Sequence, residues 1–395
     1  MNQKTTSKTD SAIDQGEYEQ KFAGFIGKGT YAFPFWKGRV ALFAILKALG
    51  IGPGDEVIVP GFTCVVVPNA VMFAGAAPIY VDNRPGTYHI NPDQILAALS
   101  PRTKVILVQH TFGIPCPMDE VLEIARAKGL KLVEDSAHAL GSTLNGKQNG
   151  IHGDAAFFSS QWSKPYTTGL GGIAATCNPE LAEKIARVQQ GFIHPPALAR
   201  LKLFFQFLIY RAFFSPQNYW MAQGMLNSLS KLHLFVGSSS QSELEGQMPP
   251  DHYWKMPGFQ QRVGLMALEK YVARIPQLQA IQKLYDRGLE EGGWPEAAYQ
   301  PGTVMLRYPV EVANKDELLA KARQQHIELG SWFETPLHPT PLENHAHFGY
   351  HLGQCPNAER CARQVVNLPL NEWIKEKEAE RVLKFFVKNA RHPLG

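Results

Sequence analysis

Apolar residues recur at helical spacing over residues 40–49, and Gly50 closes the run, which predicts a helix. Residues 56–60 read as a compact strand. Residues 65–74 suit a buried helix, with Pro68 tolerable only near its first turn, and 78–82 another strand. Further along come a strand at 104–108, a helix at 118–127 with Asp119 and Glu120 near its start, and short apolar strands at 130–133 and 154–159. Strand and helix keep alternating through Thr176. That alternation predicts an α/β fold, with a mostly parallel central sheet flanked by helices. Ligands of such sheets lie at the carboxyl ends of the strands, where His110, Asp135 and Lys164 would fall together.

The second half of the chain reads differently. Residues 202–220 are strongly apolar but too short, and too interrupted by Arg211 and Pro216, for a membrane span. They suit a buried helix, a subunit interface, or a surface that touches a membrane or receives a lipid-linked substrate. Residues 237–250 read as a flexible loop. A helix at 265–275, a strand at 305–310 and a helix at 315–325 predict a smaller C-terminal α/β domain. The expected layout is a polar, disordered tail over 1–20, a large domain over 21–250 with an apolar insertion at about 195–236, and a small domain over 251–395.

Composition narrows the picture only a little. A chain of 395 residues with 45% hydrophobic content can bury a large core, and a net charge of +4 is modest for that length. No basic run or RNA-binding signature accompanies it, so no nucleic-acid partner is expected. Cys64, Cys116, Cys177, Cys355 and Cys361 are scattered without a C-x-x-C pair, which fits a reducing cytoplasm and gives no metal site. The N-terminus has no apolar signal core, so secretion is not expected.

The candidate chemistry centres on Asp135, which follows an apolar strand, and on Lys164, which precedes the Gly-rich turn at 169–172. Singly, each has an ordinary reading, as a cap residue and a solvated lysine. Together they suit pyridoxal 5'-phosphate (PLP), with the lysine bonding the cofactor aldehyde and the acid holding the pyridine nitrogen protonated. Gly38-Arg39 stands directly before the first helix, where backbone N–H groups bind phosphate.

At these positions the chain resembles the DegT-like sugar aminotransferases, which are fold type I PLP-dependent enzymes. The resemblance rests on Glu134-Asp135-Ser136-Ala137-His138-Ala139-Leu140-Gly141, on Asn145-Gly146-Lys147, Gly150 and Gly153-Asp154, and on Phe158-Ser159, Lys164, Gly169 and Gly171-Gly172. It implies that Lys164 and Asp135 are catalytic. Gly38, Arg39, Cys64, Asp135, His138, Ser159 and Lys164 would contact the cofactor, with His138 near its phenolic oxygen and Ser159 at its phosphate. It further implies amino transfer, from glutamate, to a keto group on a nucleotide-linked sugar, in a homodimer located in the cytoplasm. Peripheral membrane contact through 203–214 would make the enzyme membrane-associated. A lipid-linked sugar or a carbocycle as acceptor, and a non-catalytic PLP-binding regulatory protein, are the competing readings.

Several positions depart from the family pattern. Arg39 stands where a small hydroxyl residue is usual, and either contacts the phosphate or pairs with an acid. Cys64 stands where an aromatic residue stacks on the cofactor; Phe62 or small apolar contacts would then cover the ring. Pro165 replaces an Asn after the lysine. His252-Tyr253-Trp254 stands where an Asn commonly reaches the neighbouring subunit's phosphate. His338 is placed either near the site entrance or in a structural role.

Overall fold

The computed structural model describes residues 13, 15–213, 239–295 and 298–393. Its central sheet has seven strands: β1 (Tyr31–Phe35), β2 (Glu56–Pro60), β3 (Ala77–Val81), β4 (Thr103–Gln109), β5 (Lys131–Asp135), β6 (Ala155–Ser159) and β7 (Gly172–Thr176). They lie in the order β1-β7-β6-β5-β4-β2-β3. Strands β2 to β6 run parallel, and β7 runs antiparallel to both β6 and β1. Side chains alternate across the sheet as the pleat demands. Val57, Val59, Val105, Leu107 and Val133 enter one core, while Ile58, Ile106, Val108 and Leu132 enter another on the opposite face. Continuous apolar runs in these strands follow from burial on both faces.

Helices α1 (Glu17–Ile26), α2 (Gly38–Ala48), α3 (Val66–Ala74), α4 (Pro92–Ala98), α5 (Met118–Lys128) and α6 (Pro179–Gln190) flank the sheet. Every residue of α2 from Gly38 to Leu46 is buried, so this helix lies in the core. Ile95 of α4 and Met118, Val121 and Ala125 of α5 cover the other face. The expected tail over 1–20 is shorter at its inner end. Residues 1–12 and 14 lie outside the described residues, but α1 begins at Glu17, and the Tyr18 hydroxyl lies 2.5 Å from that of Tyr166. Tyr18 and Phe22 are buried, which gives this segment an apolar anchor that its polar composition hides.

The remainder comprises α7 (Ala197–Phe213), α8 (Gln241–Leu244), α9 (Gly258–Glu291), β8 (Arg307–Glu311), α10 (Lys315–Gln324), α11 (Pro356–Gln364), β9 (Val365–Pro369) and α12 (Glu376–Asn389). The apolar stretch forms α7 as far as Phe213; its continuation, residues 214–238, lies outside the described residues. The loop expected over 237–250 contains α8, whose start Ser240 and Glu243 close as a reciprocal capping box. The helix expected at 265–275 is part of the much longer α9. Tyr271 there donates its hydroxyl to the Leu140 carbonyl at 2.6 Å, which joins α9 to the acid motif. Strands β8 and β9 pair antiparallel. Thr63-Cys64 pairs in parallel with Leu337-His338 and ties the C-terminal part to the rim of the large sheet. Among the described residues, no helix is long and apolar enough to cross a membrane.

Candidate active site

Asp135 is the last residue of β5 and is buried. The Ala137 N–H donates to its Oδ1 at 3.0 Å. Burial pushes the carboxyl up to about 6, against the opposing pull of that N–H, Lys164 and His110. Lys164 lies on the loop between β6 and β7, where its N–H closes a turn onto the Gln161 carbonyl at 3.0 Å. Burial pushes its amine down to about 8; Asp135 opposes the shift, and the cations Arg307 and Arg39 deepen it. Acid and lysine therefore meet at the carboxyl edge of the sheet. The Lys164 Nζ stands 4.7 Å from the centre of the Trp332 ring, and the Arg307 guanidinium packs on the same ring at 4.4 Å. Sequence reasoning missed both residues. They arrive from the C-terminal part of the chain, and no local pattern marks them.

His138 accepts the Phe112 N–H at Nδ1, at 3.2 Å. A neutral imidazole then carries its proton on Nε2. Burial keeps the ring well below its ordinary range, so it is neutral at pH 7. It stacks on Trp332 with centroids 5.4 Å apart and planes 18° from parallel. His110 has a different task. Its Nδ1 accepts the Cys116 N–H at 3.0 Å, and its Nε2 donates to Glu134 Oε2 at 3.0 Å. Glu134 also accepts the N–H groups of Gly150, His152 and Gly153, each at 2.7 Å. Burial acts to raise its pKa, but the His110 and Gly153 hydrogen bonds prevail and hold it below its ordinary value. The Glu of the acid motif thus anchors the loop carrying the motif's later glycines. Gly150 has φ +101°, and a Cβ there would lie 2.4 Å from Phe158 Cζ.

The start of α2 faces the end of β6. Its N-cap, Lys37, makes no side-chain cap hydrogen bond. A Cβ on Gly38 would stand 3.1 Å from Ser159 Cβ, and one on Gly172 would stand 2.4 Å from Gly38 Cα. Glycine at both places lets the helix start approach the sheet. Arg39 is buried and pairs with Glu243 at 2.6 Å, while Lys37 lies 2.7 Å from Asp251 and 3.7 Å from Glu243. Of the two roles open to Arg39, the structure displays the acid pair. Cys64 sits beside His338 in the short parallel pairing, and burial pushes its thiol up. Phe62 is fully buried, packed edge-on against Phe333 at 4.9 Å. The aromatic face next to Lys164 is that of Trp332. His338 accepts the Glu334 N–H at 3.3 Å, and burial pushes it down to about 3. His252 is buried with both ring nitrogens lacking a hydrogen-bond partner, edge-on to Phe43 at 4.7 Å.

These residues fit PLP. Lys164 offers an amine that is substantially neutral near pH 8, Asp135 an anion at neutral pH, and His138 an Nε2 proton. The uncapped start of α2, with Gly38 against Ser159, forms an anion cradle that any larger residue would fill. Fold and site define a fold type I PLP-dependent transferase. The sequence profile of the DegT/DnrJ/EryC1/StrS aminotransferase family matches residues 6–199 and 226–387, and the chain belongs to that family. It is a PLP-dependent aminotransferase. The chain is similar to the GDP-perosamine synthase of Caulobacter vibrioides, with 30% identity over 376 residues, 93% of this chain and 87% of that protein. It is also similar to the dTDP-4-dehydro-2,3,6-trideoxy-D-glucose 4-aminotransferase of Saccharopolyspora spinosa, with 27% identity over 387 residues, 96% of this chain and 89% of that protein. Among solved structures, S. venezuelae DesV matches with a TM-score of 0.71 and 27% identity, over 94% of this chain and 87% of its own.

Proposed function

We propose that this enzyme transfers an amino group from glutamate to the keto group of a nucleotide-linked sugar, for polysaccharide or glycoconjugate synthesis, and that it works as a homodimer. The observation that carries the reading is the meeting of Lys164 and Asp135 in a chain similar to GDP-perosamine synthase over 93% of its length.

Bound PLP supplies an electron sink for the bond being broken at the amino-bearing carbon. The protein does the rest. Lys164 would hold the cofactor through its Nζ, and as a free, neutral amine the same Nζ would serve as the base that takes and carries the proton of the donor Cα. A pKa of about 8 suits that exchange near neutral pH. Asp135, ionised at pH 7, would hold the proton of the ring nitrogen, and His138 Nε2–H would donate to the ring oxygen. Gly38 N–H and Ser159 Oγ would take the phosphate, and Arg39 with Glu243 braces the start of α2. Trp332 and Arg307 form the wall beside Lys164 and meet the incoming donor or sugar.

The test is spectroscopic. Glutamate added to the PLP-loaded protein should replace the visible band of the lysine-bound cofactor with that of pyridoxamine phosphate. GDP- and dTDP-linked keto-sugars should then restore the first band. Restoration only by a lipid-linked sugar or a carbocycle would move the acceptor class. A band that amino donors leave unchanged would favour the regulatory reading.

A further inference from the structure

The helix α7 has two apolar faces, and among the described residues only one is covered. Leu203 and Phe207 point inward, where Phe207 lies 6.1 Å from Trp162, two residues ahead of Lys164. On the outside, Leu198, Leu201, Phe204, Phe205, Leu208 and Ile209 are all exposed, Leu198 by 68% and Phe205 by 53%. At about 100° per residue these six occupy one arc of roughly 140°. Arg200 and Arg211 border that arc on one side and Lys202 on the other, all exposed. A shallow cleft beside it, between Phe204 and Phe259, is flanked by Arg200 and Arg262. The family profile breaks between residues 199 and 226, so most of α7 lies outside the segments it matches.

Charge says what covers it. Asp and Glu make up 35 of the 395 residues, about one in eleven, yet the sequence from 184 to 242 contains neither, while it holds six Lys and Arg. An apolar face bordered by cations, on a stretch of sequence without Asp or Glu and with Glu372 as an acid acting on Arg211, is complementary to a negatively charged lipid surface: the apolar arc enters the headgroup boundary and the long cationic side chains reach the phosphates. A partner copy of this chain would present the same cations and repel them. We infer that α7 is an interfacial helix by which the enzyme docks on an anionic phospholipid bilayer. It lies on the surface, and its 17 described residues are too few to span a bilayer. Through Leu203 and Phe207, docking places the Lys164 loop next to the membrane.

The experiment is vesicle co-sedimentation of the full-length, PLP-loaded protein. Phosphatidylcholine vesicles are compared with vesicles in which a quarter of the lipid is phosphatidylglycerol. Binding should require the anionic lipid and weaken with salt. The triple variant R200A/K202A/R211A should lose about a hundredfold in partitioning, at about fivefold per cation. F204S/L208S, which changes only exposed positions, should lose binding while keeping the PLP absorbance spectrum and glutamate response of the parent. Equal binding to both vesicle types, or an undiminished triple variant, overturns the inference. So does absence of vesicle binding, with light scattering showing an oligomer that F204S/L208S dissociates, for the face would then join copies of the chain. Because the glutamate response is read separately, failure here and failure of the proposed reaction are distinguishable.

Discussion

The lowered pKa of Lys164 makes a quantitative prediction about how the apoprotein captures its cofactor. Only the neutral amine attacks an aldehyde. With a pKa of about 8, roughly a quarter of Lys164 is neutral at pH 7.5, against about one part in a thousand for an ordinary lysine near 10.5. Mixing apoprotein with PLP in a stopped-flow spectrophotometer, across pH 6 to 11, should therefore give a capture rate that rises through a midpoint of about 8, once corrected with a simple alkyl amine measured in parallel. Arg307 is the perturbation of choice, because its cation on the Trp332 ring works with burial to depress the amine. Arg307→Gln removes that charge and should move the midpoint upward, slowing capture at pH 7.5 by about threefold or more. A wild-type midpoint near 10.5, or one that Arg307→Gln leaves in place, would refute the reasoning.

The other predictions concern the same cluster. Asp135 has a folded pKa of about 6, above its ordinary 3.8, so it favours the fold below pH 4 and loses that contribution as pH rises through 6. Asp135→Asn should therefore stabilise the apoprotein at pH 7, by up to about 3 kcal/mol in thermal or urea unfolding, with the gain vanishing below pH 4 while amino transfer is lost. Gly172→Ala would put a methyl group 2.4 Å from Gly38 Cα, and should weaken PLP binding at least tenfold in a fluorescence titration. His138→Gln, which keeps a donor, should retain more kcat than His138→Ala, measured at saturating glutamate; equal losses would show that the Nε2 proton is idle.

Much of the parallel part of the sheet was legible because most of its strands are short apolar runs with a helical period after them; β1 and the antiparallel β7 were not legible in this way. Asp135, His138 and Lys164 could be placed from local motifs, since each stands a few residues from a strand end. What the sequence hid came from afar. Arg307 and Trp332 reach Lys164 from the C-terminal half, and Glu243, the acid that pairs with Arg39, stands some two hundred residues away from it in the sequence. The region around Glu243 reads as a loop because its Ser, Gln and Glu are loop-rich, yet the same residue types build the capping box of α8. In α1, a polar composition masked the two aromatic residues that anchor it, Tyr18 and Phe22. Polarity predicts exposure only on average, and a few large buried side chains suffice to order a segment.

The central claim is that Lys164 is the residue that bonds the cofactor. The most direct measurement is to load the protein with PLP, reduce it with borohydride, digest it and locate the pyridoxyl label by mass spectrometry. The label should fall on the peptide containing Lys164 and be absent from Lys164→Ala treated alike. Label on another lysine, Lys37 beside the α2 cradle being the nearest competitor in sequence to Gly38, or no label at all, would contradict the account.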